Sequence, residues 1–133
     1  MPPGPPVAAA SGGIAPNVAA MLIYLPVCFI GLICAILFGF MLDPYKQNRF
    51  IRFHADQSIA LHVAYIVIFI AWLIVSFILT AIGRIFALIT FPINMLLCLG
   101  FLILMIVCMV KAYGNATFKV PVIGDWAEKQ ANR

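Results

Sequence analysis

The chain has 133 residues, 65% of them hydrophobic and 9% charged, with a formal net charge of +4. A soluble domain carries about 25% charged residues, so too few polar groups are present to build a soluble surface, and the length suits one domain. Composition excludes an ordinary soluble globular protein and points to an integral membrane protein, in which the placement of charge matters more than its sum.

Residues 1–16, "MPPGPPVAAASGGIAP", hold five Pro and three Gly. Such a segment buries no core and is expected to be disordered or polyproline-like. It lacks a basic n-region, which argues against an ordinary secretory signal peptide.

Three windows then lack Asp, Glu, Lys and Arg: one ending at Asp43, one from Gln57 to Gly83 and one from Ile85 to Val110. A helix rises about 1.5 Å per residue, so crossing a hydrocarbon layer of about 30 Å takes about 20 residues. Each window suits one crossing, with helices expected over 18–42, 57–82 and 93–112. In the first, Pro26 is expected to kink the helix or end its first turn. Gly31, Ala35 and Gly39 recur every four positions and line one face. Small residues so spaced let helix backbones approach closely in lipid, within the chain or between copies.

The first loop leads into "NRFIRFHADQSIALH", residues 48–62. Arg49, Arg52 and Asp56 share a helix face, with Phe50 and Phe53 beside them. An interfacial helix over 44–56 is expected, with aromatic side chains dipping inward and Lys46, Arg49 and Arg52 meeting anionic head groups. His54, Ser58 and His62 form a second polar stripe, beside Gln57. His54 and His62 stand about 12 Å apart along the axis, too far for a chelate, so no metal or other cofactor is expected. His62 is the sharper oddity. It is either a functional intramembrane group or a neutral ring bonded to a neighbouring helix. His54, Gln57 and His62 are the candidate polar functional residues. Ser58 lies one turn from His62, but no orienting acid follows on that face, which leaves a catalytic triad incomplete; no nucleotide or hydrolase motif is present.

Ser76 and Thr80 can bond back to their own helix. Gly83 and Arg84 mark the next turn. Pro92 is expected to separate a short surface or re-entrant segment, 85–91, from the third span, which leaves Asn94 near the interface. Cys28, Cys34, Cys98 and Cys108 show no CxxC spacing and read as buried small hydrophobes. In the tail, Asp125 and Glu128 have capping-box spacing, with Asp125 as N-cap and a short helix from Trp126. Trp126 is expected at the membrane surface.

Lys46, Arg49, Arg52, Lys111, Lys119, Lys129 and Arg133 fall on one side of a three-span chain and Arg84 on the other. The positive-inside rule then places the C-terminus in the cytoplasm and the N-terminus outside.

The motifs "NRFIRFHADQSI" after the first apolar region and "KAYGNATFKVPVIGDWAEK" after the last resemble the Tic20-like group of small bacterial membrane proteins (DUF4870), over about residues 17–129. That resemblance implies a bacterial inner membrane. It also implies a link to protein translocation, as for the plastid relatives, while some related bacterial proteins sit in magnetosome membranes and influence crystal growth. No acidic loop suited to a mineral surface is seen.

The expected architecture is all-α: a disordered tail (1–16), a three-helix transmembrane domain (17–113) and an interfacial tail (114–133). The expected function is that of a non-enzymatic structural or accessory subunit of a membrane complex or homo-oligomer, with no nucleic-acid partner. The alternative is a translocation or conduction component.

Overall fold

The computed structural model describes residues 13–27 and 29–133. Most of the tail expected over 1–16 lies outside that set, as does Cys28. The described residues form five α-helices and no strand. They are α1 (Pro16–Leu22), α2 (Ile30–Ile36, extended by a wider π turn over Leu37–Met41), α3 (Arg49–Ile82), α4 (Ala87–Tyr113) and α5 (Ile123–Ala131). Two stretches are long and apolar enough to cross a membrane, Arg49–Ile82 and Arg84–Tyr113.

The first apolar region differs from the single helix expected over 18–42. It breaks into α1 and α2, separated by a turn around Pro26. Proline lacks the amide donor that a continuing helix needs and clashes with the carbonyl four residues earlier. The two pieces fold back on each other. Ile14 at the start donates its amide to the Tyr45 hydroxyl at 2.6 Å, and that hydroxyl donates to the Ile14 carbonyl at 3.0 Å. The region thus leaves at the level where it enters. Its turn lies beside His62 and Tyr65, about 20 Å along α3 from Arg49. Gly31 makes the fold-back close: a Cβ there would stand 2.6 Å from the Leu25 carbonyl oxygen and 2.8 Å from that of Ile23. Gly39 lies against α3, where a Cβ would meet that of Ala55 at 2.4 Å. Gly31, Ala35 and Gly39 therefore face other parts of the same chain.

No separate interfacial helix forms over 44–56. Asn48 caps α3 by accepting the Phe50 amide at 2.9 Å, and the helix then runs unbroken for 34 residues. Neither Pro nor Gly interrupts 49–82, so nothing ends it where a surface helix was expected to stop. Phe50 and Phe53 are buried against the rest of the chain. From Val63 onward most side chains of α3 are apolar and exposed.

Gly83 and a 3-10 turn over Arg84–Phe86 reverse the chain. Pro92 does not divide the next region, because α4 runs through it from Ala87 to Tyr113. Pro92 falls near the start of the helix, so only the Leu88 carbonyl loses its donor. Asn94 accordingly lies inside the helix pair and accepts the Trp72 indole N–H at 2.8 Å.

The tail helix starts at Ile123, two residues before the expected N-cap. Val122 precedes it at φ 68°, and the Gly124 amide donates to the Val120 carbonyl at 2.7 Å. Asp125 therefore sits in the first turn and not at the cap, a position that favours an acidic side chain through the helix dipole. Helix α5 packs Ala127 and Ala131 on Phe53, while Val122 and Trp126 remain exposed. Cys34, Cys98 and Cys108 are free thiols.

Candidate functional site

The polar residues of α3 converge on the base formed by α1, the tail and the ends of the long helices. His54, Gln57, Ser58 and His62 are all buried. A buried polar group is destabilising unless hydrogen-bonded, so the partners decide what this cluster is for.

Gln57 is its centre. Its carboxamide oxygen accepts the Val120 amide at 3.1 Å, and its nitrogen donates to the Phe118 carbonyl and the Tyr24 hydroxyl, each at 3.0 Å. Since an amide N–H only donates and a carbonyl only accepts, the orientation of the Gln57 carboxamide is settled. Tyr24, fully buried, then has its proton for His54 Nδ1, 3.0 Å away. In the neutral ring this places the His54 proton on Nε2. That nitrogen is buried without a hydrogen bond of good geometry, beside the Ala116 backbone. Phe50, Phe53 and Tyr24 enclose the imidazole edge to face, with ring centroids 4.6, 5.1 and 5.5 Å away.

One turn on, Ser58 donates to the Ile23 carbonyl at 2.9 Å. His62 Nδ1 lies 2.8 Å from the Ser58 carbonyl oxygen and 3.4 Å from the Ser58 hydroxyl. The serine proton is thus directed at backbone and not at the imidazole, and Nδ1 must carry a proton to reach a carbonyl. This is the reverse of a base activating a nucleophile. Among the described residues no group of three or more His, Cys, Asp or Glu is arranged to hold a metal ion.

Of the expected head-group residues, Arg49 is exposed, and Lys46 is 2.9 Å from Asp43. The Lys46 ammonium holds the Asp43 carboxyl below the usual carboxylate range. Arg52 approaches the Gln130 carbonyl at 3.5 Å in place of a salt bridge with Asp56, and so ties α3 to α5. Lys119 bonds Glu128 and lies 3.6 Å from Asp125. These contacts raise the Lys119 pKa, and the Lys119 bond lowers that of Glu128.

The cluster joins four separate segments: the end of α1, the first part of α3, the connecting segment 116–120 and, through it, α5. Tyr24 is the member that sequence reading missed. Its neighbours in sequence are apolar, and its partners lie 30 and 33 positions away.

Residues 15–127 match the magnetosome magnetite crystal formation protein family. The chain belongs to that family. The match covers the fold-back, both long helices and most of α5, and it replaces the Tic20-like resemblance. Family relatives extend beyond bacteria. A UPF0132 membrane protein of Archaeoglobus fulgidus is 37% identical over 114 residues, 86% of this chain and 93% of that protein. Two UPF0132 membrane proteins of Methanocaldococcus jannaschii are 38% and 32% identical over 117 residues, 88% of this chain, and 89% and 71% of their own lengths. No solved structure matches the chain. With membrane proteins as its relatives and two helices of spanning length, the chain is an integral membrane protein.

Proposed function

We propose that the chain is a non-enzymatic membrane protein that acts as a structural subunit of a larger membrane assembly or homo-oligomer. The observation that carries this reading is the contrast between its two halves. At the base, Tyr24, Gln57, Ser58 and His62 are bonded to one another and to backbone, and the Ser58 proton is directed away from His62, which leaves no activated nucleophile. Along the membrane-spanning length the reverse holds. Only 6% and 11% of the most apolar stretches of the two long helices are buried within the chain, and Gly100 has nothing within 4 Å of the place a Cβ would occupy. In lipid, helix association depends on close packing and not on hydrophobic drive, so such open faces suit further helices. The family description, magnetite crystal formation in magnetosomes, gives the setting. There the subunit would shape the membrane around a mineral without turning over substrate.

The proposed topology is two crossings, with the fold-back of residues 14–45 re-entrant. The seven Lys and Arg of the base lie on one side and Arg84 on the other, so the base is assigned to the cytoplasmic side. Both termini then share that side. Exposed Arg49 and the rim of the base are the places for anionic head groups, each such charge contributing about 1 kcal/mol.

The test is the mass of the full chain in mild detergent and in nanodiscs. One chain has a mass of 14.6 kDa. The expected particle holds two or more chains, or one chain with co-purifying membrane proteins. A lone chain under both conditions overturns the subunit reading.

A further inference from the structure

Where the fold-back turns at Pro26 it stops short of the upper parts of α3 and α4 and leaves a cavity of about 490 Å³. Leu25, Pro26 and Phe29 form one wall, His62 and Tyr65 of α3 a second, and Phe101 of α4 a third. The volume falls within the range of small-molecule sites, about 300–1,000 Å³, which are typically apolar with a few placed polar groups. Here the placed group is His62, whose side chain is only 6% exposed and whose ring lies edge to face with Phe101 at 5.5 Å. Its Nδ1 is committed as a donor to the Ser58 carbonyl. In the neutral ring the other nitrogen, Nε2, is therefore a bare acceptor. No side chain or backbone group of the described residues donates to it; the bonds of the ring are made at Nδ1, and the residue lines the cavity. Tyr65 does not supply the donor, because its hydroxyl is turned to the Cys98 sulfur at 3.5 Å.

We propose that this cavity binds a membrane-soluble alcohol, an apolar chain carrying one hydroxyl, with that hydroxyl donating to His62 Nε2. A plain acyl tail fills the volume but leaves the acceptor unpaired, a loss that a hydroxyl removes. A charged head group does not suit walls formed by aliphatic and aromatic side chains. Phe29 lines the cavity and is exposed, so the site is open on that side, where a bilayer-dissolved molecule would enter. The site is independent of the subunit reading, since it needs only one chain.

The test uses the purified full chain in phosphatidylcholine nanodiscs, titrated with the prenyl alcohol farnesol and with its methyl ether. The expected result is saturable binding of the alcohol, with the ether about tenfold weaker, as one hydrogen bond implies. His62→Leu should bring the alcohol down to the level of the ether. Ile70→Trp, which fills the cavity from a position eight residues and about 12 Å along α3 from His62, should weaken both. The ¹⁵N resonance of His62 Nε2 should move on adding the alcohol and stay in place with the ether, a readout that needs no variant. Absence of saturable binding, equal affinity for alcohol and ether in the wild type, or an unmoved Nε2 resonance overturns the proposal. Retention of the alcohol preference in folded His62→Leu does the same.

Discussion

The Tyr45 hydroxyl holds the backbone of Ile14 on both sides, accepting its N–H at 2.6 Å and donating to its carbonyl at 3.0 Å. A second tie runs beside it, from the Asn17 side chain to the Tyr113 carbonyl at 3.1 Å. The start of the first apolar region is thereby fastened to both its own end and the end of α4. On the proposed two-crossing topology, a segment held in this way does not cross the layer that α3 and α4 span. Reporter fusions before Asn17 and after Arg133 should therefore give the same sidedness, and a reporter placed in the Gly83–Arg84 turn the opposite one. Opposite signals from the two termini would restore three crossings.

Gly39 and Ala55 touch where the π turn meets α3. With only 2.4 Å available between the two Cβ positions, Gly39→Leu forces α2 away from α3. Overpacking of this kind typically destabilises by about 1–3 kcal/mol. The fold-back should become accessible to protease while α3 and α4 stay inserted, since leucine is as lipid-soluble as its neighbours. An unchanged digestion pattern would show that α2 does not pack there.

Gln57→Leu should detach the tail. It leaves the Val120 amide and the Phe118 carbonyl without their partner, at about 1–3 kcal/mol for each group that stays buried. Hydrogen exchange at residues 116–131 should rise strongly, and exchange in the upper half of α3 should not. Gln57→Glu is a sharper probe. It keeps the acceptor for Val120 but loses the donor to Phe118 and Tyr24, so it should not rescue.

The Lys119–Glu128 bond has a defined pH window. The Glu128 pKa is lowered on folding, so its contribution is present above the unfolded carboxylate value, about 4.3, and fades as pH falls through the folded one. The Lys119 pKa is raised, so its contribution is present below about 10.4 and fades as pH rises through the folded value. Tail docking, followed by Trp126 fluorescence, should be level between about pH 5 and 10 and weaken outside it. Both side chains are solvent-accessible, so the effect should be small and should shrink with salt. A tail that detaches near pH 7 would contradict this ion-pair account.

Much of the architecture is legible in the residues, and one part is hidden for a definite reason. The charge-free runs after Gln57 and after Ile85 are long enough to span, and they do form the long helices. The run before Asp43 passes the same length test, yet it folds back at Pro26. Charge counting does not expose the difference. Residues 1–16 carry no Lys or Arg, so moving them from one side to the other leaves the seven-to-one division unchanged. The interfacial helix was misplaced because Arg49, Arg52 and Phe53 look like surface anchors until a partner is known. That partner is α5, whose alanines cover Phe53. The polar stripe of His54, Ser58 and His62 was readable from its spacing. The acceptors of Ser58 at Ile23 and of neighbouring Gln57 at Phe118 are backbone carbonyls, which leave no mark in side-chain chemistry.

The unbroken course of α3 into a tight reversal bears on how the chain enters its membrane. On the two-crossing topology, the proline-rich leader and the fold-back never need to be carried through. Among the described residues, the one formal charge to be carried through is the guanidinium of Arg84, in the short corner at Gly83–Phe86. Moving one such charge past the centre of a bilayer is opposed by about 2.5–3.5 kcal/mol on an insertion scale, against two helices whose side chains are almost all apolar. The molecule can therefore insert as a preformed hairpin, corner first. On that topology the seven remaining cations would stay on the side of synthesis and act as a stop that sets its depth.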